Sequence, residues 1–195
     1  HERDIEWMAT PLRKLIANRE DLQKKIKKDI FFGFMGYFPK FAQQFMEIKY
    51  PVMVQPKELD RDLKKNVTEL TVKGRNGVKY LKGIPVDQFH NYLAYLEPDI
   101  CYCPLLPNHV FNDSKSNIKF IESVISGAAT VVSNVGPYSL LPDDIVVKGN
   151  TPEQLVQGIQ KLIVDEDYRK ALHKKSYDWV IDNFNLQKNA KNWYD

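Results

Sequence analysis

The chain has 195 residues, 43% hydrophobic and 27% charged, with a formal net charge of +3. These values are typical of a globular chain long enough for one domain with a real core. From so mild a charge we expect no nucleic-acid partner. No apolar run reaches the roughly 18 residues that a membrane-spanning helix needs.

Two features of the sequence bear on the cellular compartment. Cys101 and Cys103 stand one residue apart in an apolar run, where a strand would place both side chains on one face. Near neighbours of this kind do not form a disulfide readily, so we interpret them as buried thiols of a reducing cytoplasm. No signal peptide is visible, and we expect a cytoplasmic protein.

A short basic run carries much of the positive charge. It comprises Lys24, Lys25, Lys27 and Lys28. Such a run is typical of a solvated helix face, and it could also contact anionic lipid or another domain. Peripheral contact with the inner face of a membrane therefore stays open as an alternative.

The first half of the chain reads as a helix, three short strands and a second helix. The opening helix is amphipathic, with Ile5, Met8, Leu12, Leu15 and Ile16 at helical spacing. Strands are predicted at residues 29–36, 51–55 and 78–81, and a helix at residues 86–96. The residues of that helix predicted to face the core are Val86, Phe89, Tyr92, Leu93 and Leu96.

The second half alternates strands and helices more regularly. Strands are predicted at residues 99–104, 130–133 and 144–147. A helix is predicted to begin at Ser114 or Ser116 and to stop at Gly127. Further helices are predicted at 151–164, at 165–184 and at 186–194, the first of them capped by Thr151 with Pro152 in its first turn.

This alternation predicts the fold class. We expect a Rossmann-like, doubly wound α/β domain with a mostly parallel sheet and helices on both faces. Residues 1–195 are expected to form a single domain. A doubly wound domain normally opens on a strand and this chain opens on a helix, so we expect a fragment without its first strand.

Residues 111–138 are the stretch most indicative of function. Read as a helix that reaches back to Lys115, they place Lys115, Lys119 and Glu122 on one side, beside N–H groups that lack acceptors. A phosphate would be stabilised there. In the alternative interpretation, Lys119 and Glu122 form a surface pair worth about 0.2–0.5 kcal/mol. The apolar residues predicted to face the core are Ile118, Ile121, Val124 and Ile125.

Several well-known site motifs are missing. The sequence has no GxGxxG fingerprint and no GxxxxGK[ST] loop, so a nicotinamide-dependent oxidoreductase loses its main support. The four histidines have no metal-ligand spacing. His109 is the only one near the predicted ligand edge, in the loop before the stretch just described.

These residues carry a resemblance to a known family. The segment KSNIKFIESVISGAATVVSNVGPY, following the strand and proline of DICYCPL, resembles the nucleotide-sugar-binding half of GT-B glycosyltransferases, close to family 4. Residues 78–85 resemble the third strand and loop of that half, and residues 1–4 resemble the segment after its first strand. The resemblance covers most of the chain and implies one half of a GT-B fold.

The resemblance implies a role for each matching position. Glu122 matches the second glutamate of the family's E-x7-E motif, which holds the donor ribose, whereas Ser114 stands at the first glutamate. Lys115 and Lys119 would neutralise the leaving diphosphate. The other residues implied to contact or enclose the donor are Ser116 and Asn117, Ile84 and Pro85 beside the base, and the turn Gly136, Pro137 and Tyr138.

The resemblance also implies an activity in polysaccharide biosynthesis. The enzyme would transfer a sugar from a nucleotide-diphosphate sugar to a glycan, lipid-linked or protein acceptor, with retention and without a metal or other cofactor. The acceptor and any general base would lie on the N-terminal GT-B domain, which we expect this chain to lack. The main alternative is a non-catalytic Rossmann-like binding module, and Ser114 in place of glutamate is its best argument.

Overall fold

The computed structural model describes residues 2–35, 62–73, 77–81 and 83–190. It divides into two compact units, His1–Leu96 and Glu97–Asp195, and each is described by itself. The assignment of residues 1–195 to one donor-binding domain stays a prediction. The strand predicted at 51–55 and the last residues of the helix predicted at 186–194 lie outside the described part of the chain.

The first unit contains four helices and three strands among its described residues. They are α1 (Glu2–Ala17), α2 (Arg19–Ile26), β1 (Phe32–Met35), α3 (Leu63–Leu70), β2 (Thr71–Lys73), β3 (Val78–Leu81) and α4 (Val86–Leu96). The opening helix is confirmed, because Met8, Leu12, Leu15 and Ile16 are buried. The bounds predicted for β3 and α4 are also confirmed.

The sheet of this unit is mixed. β1 runs parallel to β3, with Phe32 opposite Val78 and Met35 opposite Leu81. β2 pairs with the other side of β3 in the antiparallel direction. The predicted strand at 29–36 is therefore shorter than expected, because it begins only where pairing with β3 begins.

The core-facing side of α4 differs from the prediction. Tyr92 is buried, and Phe89 and Leu93 are half-buried. Val86 and Leu96, at the two ends of the helix, are 86% and 40% exposed. Helical periodicity identifies a stripe of residues, but burial also requires a neighbouring element along its whole length.

The second unit alternates strands and helices in a parallel arrangement. Its elements are β4 (Ile100–Cys103), α5 (Val110–Asp113), α6 (Ile118–Ile125), β5 (Ala129–Ser133), a 3₁₀ turn (Gly136–Tyr138), β6 (Val147–Gly149), α7 (Pro152–Val164), α8 (Glu166–Phe184) and α9 (Leu186–Asn189). The strand order is β4-β5-β6, and both pairs are parallel. β6 starts later than predicted, because its pairing with β5 begins only at Val147, opposite Val131. Ile145 and Val146 are buried in the loop before it.

Helices cover both faces of this sheet. On one face, Val132 of β5 belongs to a core cluster with Phe120 of α6 and Val180 of α8. On the other face, α7 packs so closely that a Cβ on Gly158 would lie 3.4 Å from Val131. With its parallel strands in open sheets flanked by helices, the chain has the predicted Rossmann-like α/β fold class.

Helix α8 is bonded to segments far away in the sequence. Ser176 donates a hydrogen bond to the Ile145 carbonyl, and a ring nitrogen of His173 lies 3.0 Å from the Val124 carbonyl oxygen. Arg169 donates to Asp99 over 3.2 Å. Side chains of α8 thus form hydrogen bonds with polar groups of α6 and of the loops before β4 and β6.

Candidate functional site

The carboxyl ends of β4, β5 and β6 meet at one edge of the second sheet, where open α/β sheets bind ligands. Two hydrogen bonds fix the segments that leave this edge. The Leu105 N–H donates to Ser133 Oγ over 2.8 Å and ties the loop after β4 to the end of β5. Asn134 Nδ2 donates to Asn150 Oδ1 over 3.1 Å and ties the ends of β5 and β6 together. The edge is therefore held as one surface.

The turn at Gly136 packs directly on helix α5. Gly136 has a φ of +52°, and a Cβ added there would lie 2.6 Å from the Asn112 carbonyl oxygen. Asn112 is itself buried, and its Nδ2 donates to the Leu106 carbonyl over 3.0 Å. The structure thus brings the predicted turn against the residues that immediately precede Ser114.

The predicted start of α6 is wrong. The helix begins at Ile118 after Asn117, whose side chain makes no capping hydrogen bond. Ser114 instead ends the short helix α5, and its Oγ donates to the Val110 carbonyl over 3.0 Å. Ser116 stands between the two helices and is exposed. A serine was expected to cap α6. Ser114 instead bonds a carbonyl group of α5, because the carbonyl groups at the end of a helix lack partners within it.

Lys115 consequently lies outside the helix that carries Lys119 and Glu122. Its Nζ stands 5.0 Å from the centroid of the Phe111 ring. Within α6, Lys119 is exposed and Glu122 is half-buried. The predicted one-sided row of three charges on a single helix is therefore replaced by two charges on α6 and one in the segment leading into it.

The buried face of α6 also differs from the prediction. Phe120, Ser123 and Val124 are buried, whereas Ile118 and Ile125 are 55% and 61% exposed. Phe120 packs edge-to-face on Trp179 of α8, with ring centroids 6.1 Å apart. Gly127 ends the helix as predicted, with a φ of +99°. The orientation of α6 follows the position of α8, which the local sequence does not contain.

The two cysteines lie on β4, and neither forms a disulfide. Cys103 is buried, and Cys101 is half-buried. Burial raises the pKa of the Cys103 thiol to about 12, with a further rise from the neighbouring Cys101. Desolvation likewise raises the pKa of Cys101. Cys103 matches the predicted buried thiol, and neither side chain is prepared for nucleophilic chemistry.

We expect Cys103 to react slowly with alkylating reagents. In a Cys101→Ser variant at mildly alkaline pH, the reaction in the native protein should be at least about 100-fold slower than in denaturant, because a raised pKa leaves little thiolate. The native rate should keep rising past pH 9, where an unfolded cysteine approaches its plateau. A native rate equal to the denatured rate, measured by mass spectrometry of the intact chain, would contradict the buried position.

The remaining predicted donor residues belong to the first unit. Ile84 and Pro85 follow the carboxyl end of β3. Ile84 is buried in a cluster with Leu81 and Tyr92, and Pro85 is half-buried. The side chain of Ile84 therefore serves the core, and a role beside the base of the donor stays a prediction.

Some polar residues at the edge of the second sheet were missed by sequence reasoning. Asn134 and Asn150, whose side-chain amides pair, each follow a strand directly. A polar residue directly after a predicted strand was the signal that could have identified them. His109, noted before only for its position, lies just before α5, and its buried Nδ1 has no hydrogen-bond partner among the residues that the structure describes.

Two features are absent from the described residues. They contain no group of three or more His, Cys, Asp or Glu side chains placed to hold a metal ion. Within the same residues, no helix combines the length and apolarity needed to cross a bilayer.

The sequence is distantly similar to a known protein. No protein-family model matches the chain. The sequence is 23% identical over 207 aligned residues to an uncharacterized glycosyltransferase of Methanocaldococcus jannaschii. The match covers 97% of this chain and 50% of that protein, so the chain spans about half the length of the relative.

Proposed function

We propose that the chain takes part in glycosyl transfer as the donor-binding half of a GT-B glycosyltransferase similar to family 4. The likeness to a glycosyltransferase over 97% of the chain supports the general activity. The whole enzyme would move a sugar from a nucleotide-diphosphate sugar to a glycan, lipid-linked or protein acceptor, with retention. An N-terminal GT-B domain would supply the acceptor site.

The observation that carries the proposal is the convergence of two loops at one sheet edge. The Gly136 turn packs against α5, and the chain then passes Lys115 and enters α6 at Ile118. The first N–H groups of a helix attract anions, and nearby ammonium groups add to that attraction. In the proposed site Lys115 and Lys119 neutralise the diphosphate as it leaves, so the protein's own cations serve the leaving group.

Glu122 lies one turn further along α6 and would hold the ribose. A carboxylate accepts two hydrogen bonds, which suits the neighbouring hydroxyls of a ribose ring. Ser116 and Asn117, which lead into α6, would contact the phosphates, and Gly136, Pro137 and Tyr138 would close one side. Tyr138 is 2% exposed, so it would support that wall through packing.

A non-catalytic binding module is the second candidate, and Ser114 favours it. The hydroxyl hydrogen of Ser114 is already given to the Val110 carbonyl, so this side chain can only accept from a ligand. A glutamate at the same position would offer two charged acceptor oxygens. A module that binds the nucleotide and holds the sugar weakly would fit this substitution.

Calorimetric titration with UDP, GDP and ADP, and with NAD as a comparison, tests the proposal. We expect one nucleoside diphosphate to bind and its affinity to fall about tenfold or more in Glu122→Gln, because a hydrogen bond to a charged group is worth roughly 1.5–3 kcal/mol. Lys115→Ala should weaken the same ligand in a salt-dependent way.

Lys170→Ala is the matched control, since this lysine is 70% exposed and paired with Glu166 on α8. It should bind like the unchanged chain. The absence of binding to any nucleoside diphosphate by the folded chain would refute the proposal. Equal affinity for a nucleoside diphosphate and for its sugar conjugate would favour the non-catalytic module.

A further inference from the structure

The turn between α2 and β1 in the first unit gathers positive charge on the surface. Lys27 adopts a left-handed conformation with a φ of 56° and turns the chain out of α2, its N–H donating to the Gln23 carbonyl. Phe31, at the end of the turn, is 54% exposed. Lys79 of β3 places its Nζ 3.5 Å from the Phe31 ring centroid. The basic turn surface is defined as Lys24, Lys25, Lys27, Lys28, Phe31 and Lys79.

Lysines outnumber the acidic residues in the stretch of sequence that forms this surface. Glu20, Asp21 and Asp29 are the acidic residues in the same stretch of sequence. Asp21 lies 3.4 Å from Lys24 Nζ, and Asp29 accepts a hydrogen bond from Gln23 over 2.8 Å. The five lysines of the basic turn surface therefore outnumber these three acids. The four lysines at residues 24–28 are all exposed to solvent.

The exposed Phe31 ring indicates which kind of anionic partner fits this surface. An aromatic side chain beside lysines is typical of surfaces that lie on a bilayer, where the ring enters the headgroup region and the ammonium groups meet lipid phosphates. Lys79 covers one face of the Phe31 ring, so that face cannot stack on a nucleobase as single-stranded nucleic acids require. The combination fits a lipid surface better than a nucleic acid.

The position of the surface leaves the ligand edge of its own sheet open. Phe31 directly precedes β1, whose first residue Phe32 is opposite the first residue of β3, Val78. Ile84 and Pro85 follow the other end of β3. Within the first unit, a partner on the basic turn surface would thus sit at the amino-terminal edge of the parallel strands, away from the two residues assigned to the donor base.

We propose that the basic turn surface binds an anionic lipid bilayer. The lysines supply electrostatic attraction to acidic headgroups, and Phe31 adds apolar contact at the interface. This proposal does not depend on nucleotide binding. It can therefore be tested separately from the proposed glycosyl transfer.

Cosedimentation of the 195-residue chain with vesicles tests the proposal. We expect binding to phosphatidylcholine vesicles that contain phosphatidylglycerol, little binding to phosphatidylcholine alone, and release at high salt. The double variant Lys25→Gln/Lys28→Gln should bind the acidic vesicles roughly tenfold or more weakly, since each lysine contributes to the attraction. Phe31→Ala should weaken binding at every salt concentration.

The control variant Lys170→Gln/Lys174→Gln removes the same charge from α8, where both lysines are at least 70% exposed. It should bind vesicles like the unchanged chain. Equal vesicle binding by the two double variants would overturn the proposal. So would a failure of the unchanged chain to bind acidic vesicles, or its displacement from them by an RNA that binds it more tightly. Circular dichroism checks that each variant is folded. If the double variant Lys25→Gln/Lys28→Gln unfolds, the single variants Lys25→Gln and Lys28→Gln are tested in its place.

Discussion

Replacing Gly136 with alanine is expected to lower the free energy of unfolding by about 2–4 kcal/mol. The residue has a φ of +52°, which costs an L-amino acid roughly 1–2 kcal/mol. The new methyl group would also lie 2.6 Å from the Asn112 carbonyl oxygen and 3.0 Å from the Asp113 Cα. Both neighbours are backbone atoms, so the clash can be relieved only by moving the turn away from α5.

Denaturant unfolding of Gly136→Ala and Gly127→Ala separates strain from clash. Gly127 also has a positive φ, of +99°, but no atom lies within 4 Å of its added Cβ. Its replacement should therefore cost only the conformational strain, about 1–2 kcal/mol. A smaller loss for Gly136→Ala than for Gly127→Ala would mean that the turn does not pack on α5. If the proposed site is correct, Gly136→Ala should also bind the nucleoside diphosphate more weakly.

Truncating Phe120 should destabilise the protein even more, by about 3–5 kcal/mol for Phe120→Ala. The side chain is 0% exposed and lies between the sheet and Trp179. Its removal leaves a cavity and takes away the contact that docks α6. Phe120→Leu keeps most of the volume and should cost about 1–1.5 kcal/mol. Chemical denaturation monitored by tryptophan fluorescence measures both.

Phe111 provides a matched control for this pair of variants. It is also a phenylalanine of the second unit, but it is 66% exposed, and Lys115 Nζ lies 5.0 Å from the centroid of its ring. Phe111→Ala should lower the free energy of unfolding by less than about 1 kcal/mol. If Phe120→Ala were no more costly than Phe111→Ala, the described packing of α6 would be wrong.

The fold class and several element boundaries could be predicted because their signals are local. Alternating apolar runs and helices indicate parallel strands. A loop at residues 83–85 follows β3. Thr151 with Pro152 marks the start of α7, where Thr151 Oγ1 accepts from the Gln154 N–H. A glycine with a left-handed backbone ends α6. Each of these features depends on residues within one turn of the boundary that it marks.

The site was harder to predict because its details depend on contacts with neighbouring elements and not on the local pattern alone. Ser114, Ser116 and Asn117 are all good candidates to begin a helix, and only the presence of α5 decides which of them does. The buried face of α6 depends on Trp179, which is 59 residues beyond Phe120 in the sequence. Lys115 follows α5, which packs on the Gly136 turn, and stands in the connecting segment and not on α6; phosphate binding by these residues stays a prediction.

The hydrogen bonds of α8 have a consequence for synthesis of the chain on the ribosome. They join residues 31, 49 and 70 positions apart in the sequence, so the second unit cannot complete its contacts until α8 has left the exit tunnel. Contacts of such long sequence separation also slow folding, because a long loop must close first. A nascent chain that ends after α7 would expose the apolar surface that Val180 covers and leave the Ile145 carbonyl without its Ser176 donor. The unit is therefore expected to fold only after α8 has been synthesised, and until then its β4–β6 surface is open to chaperones.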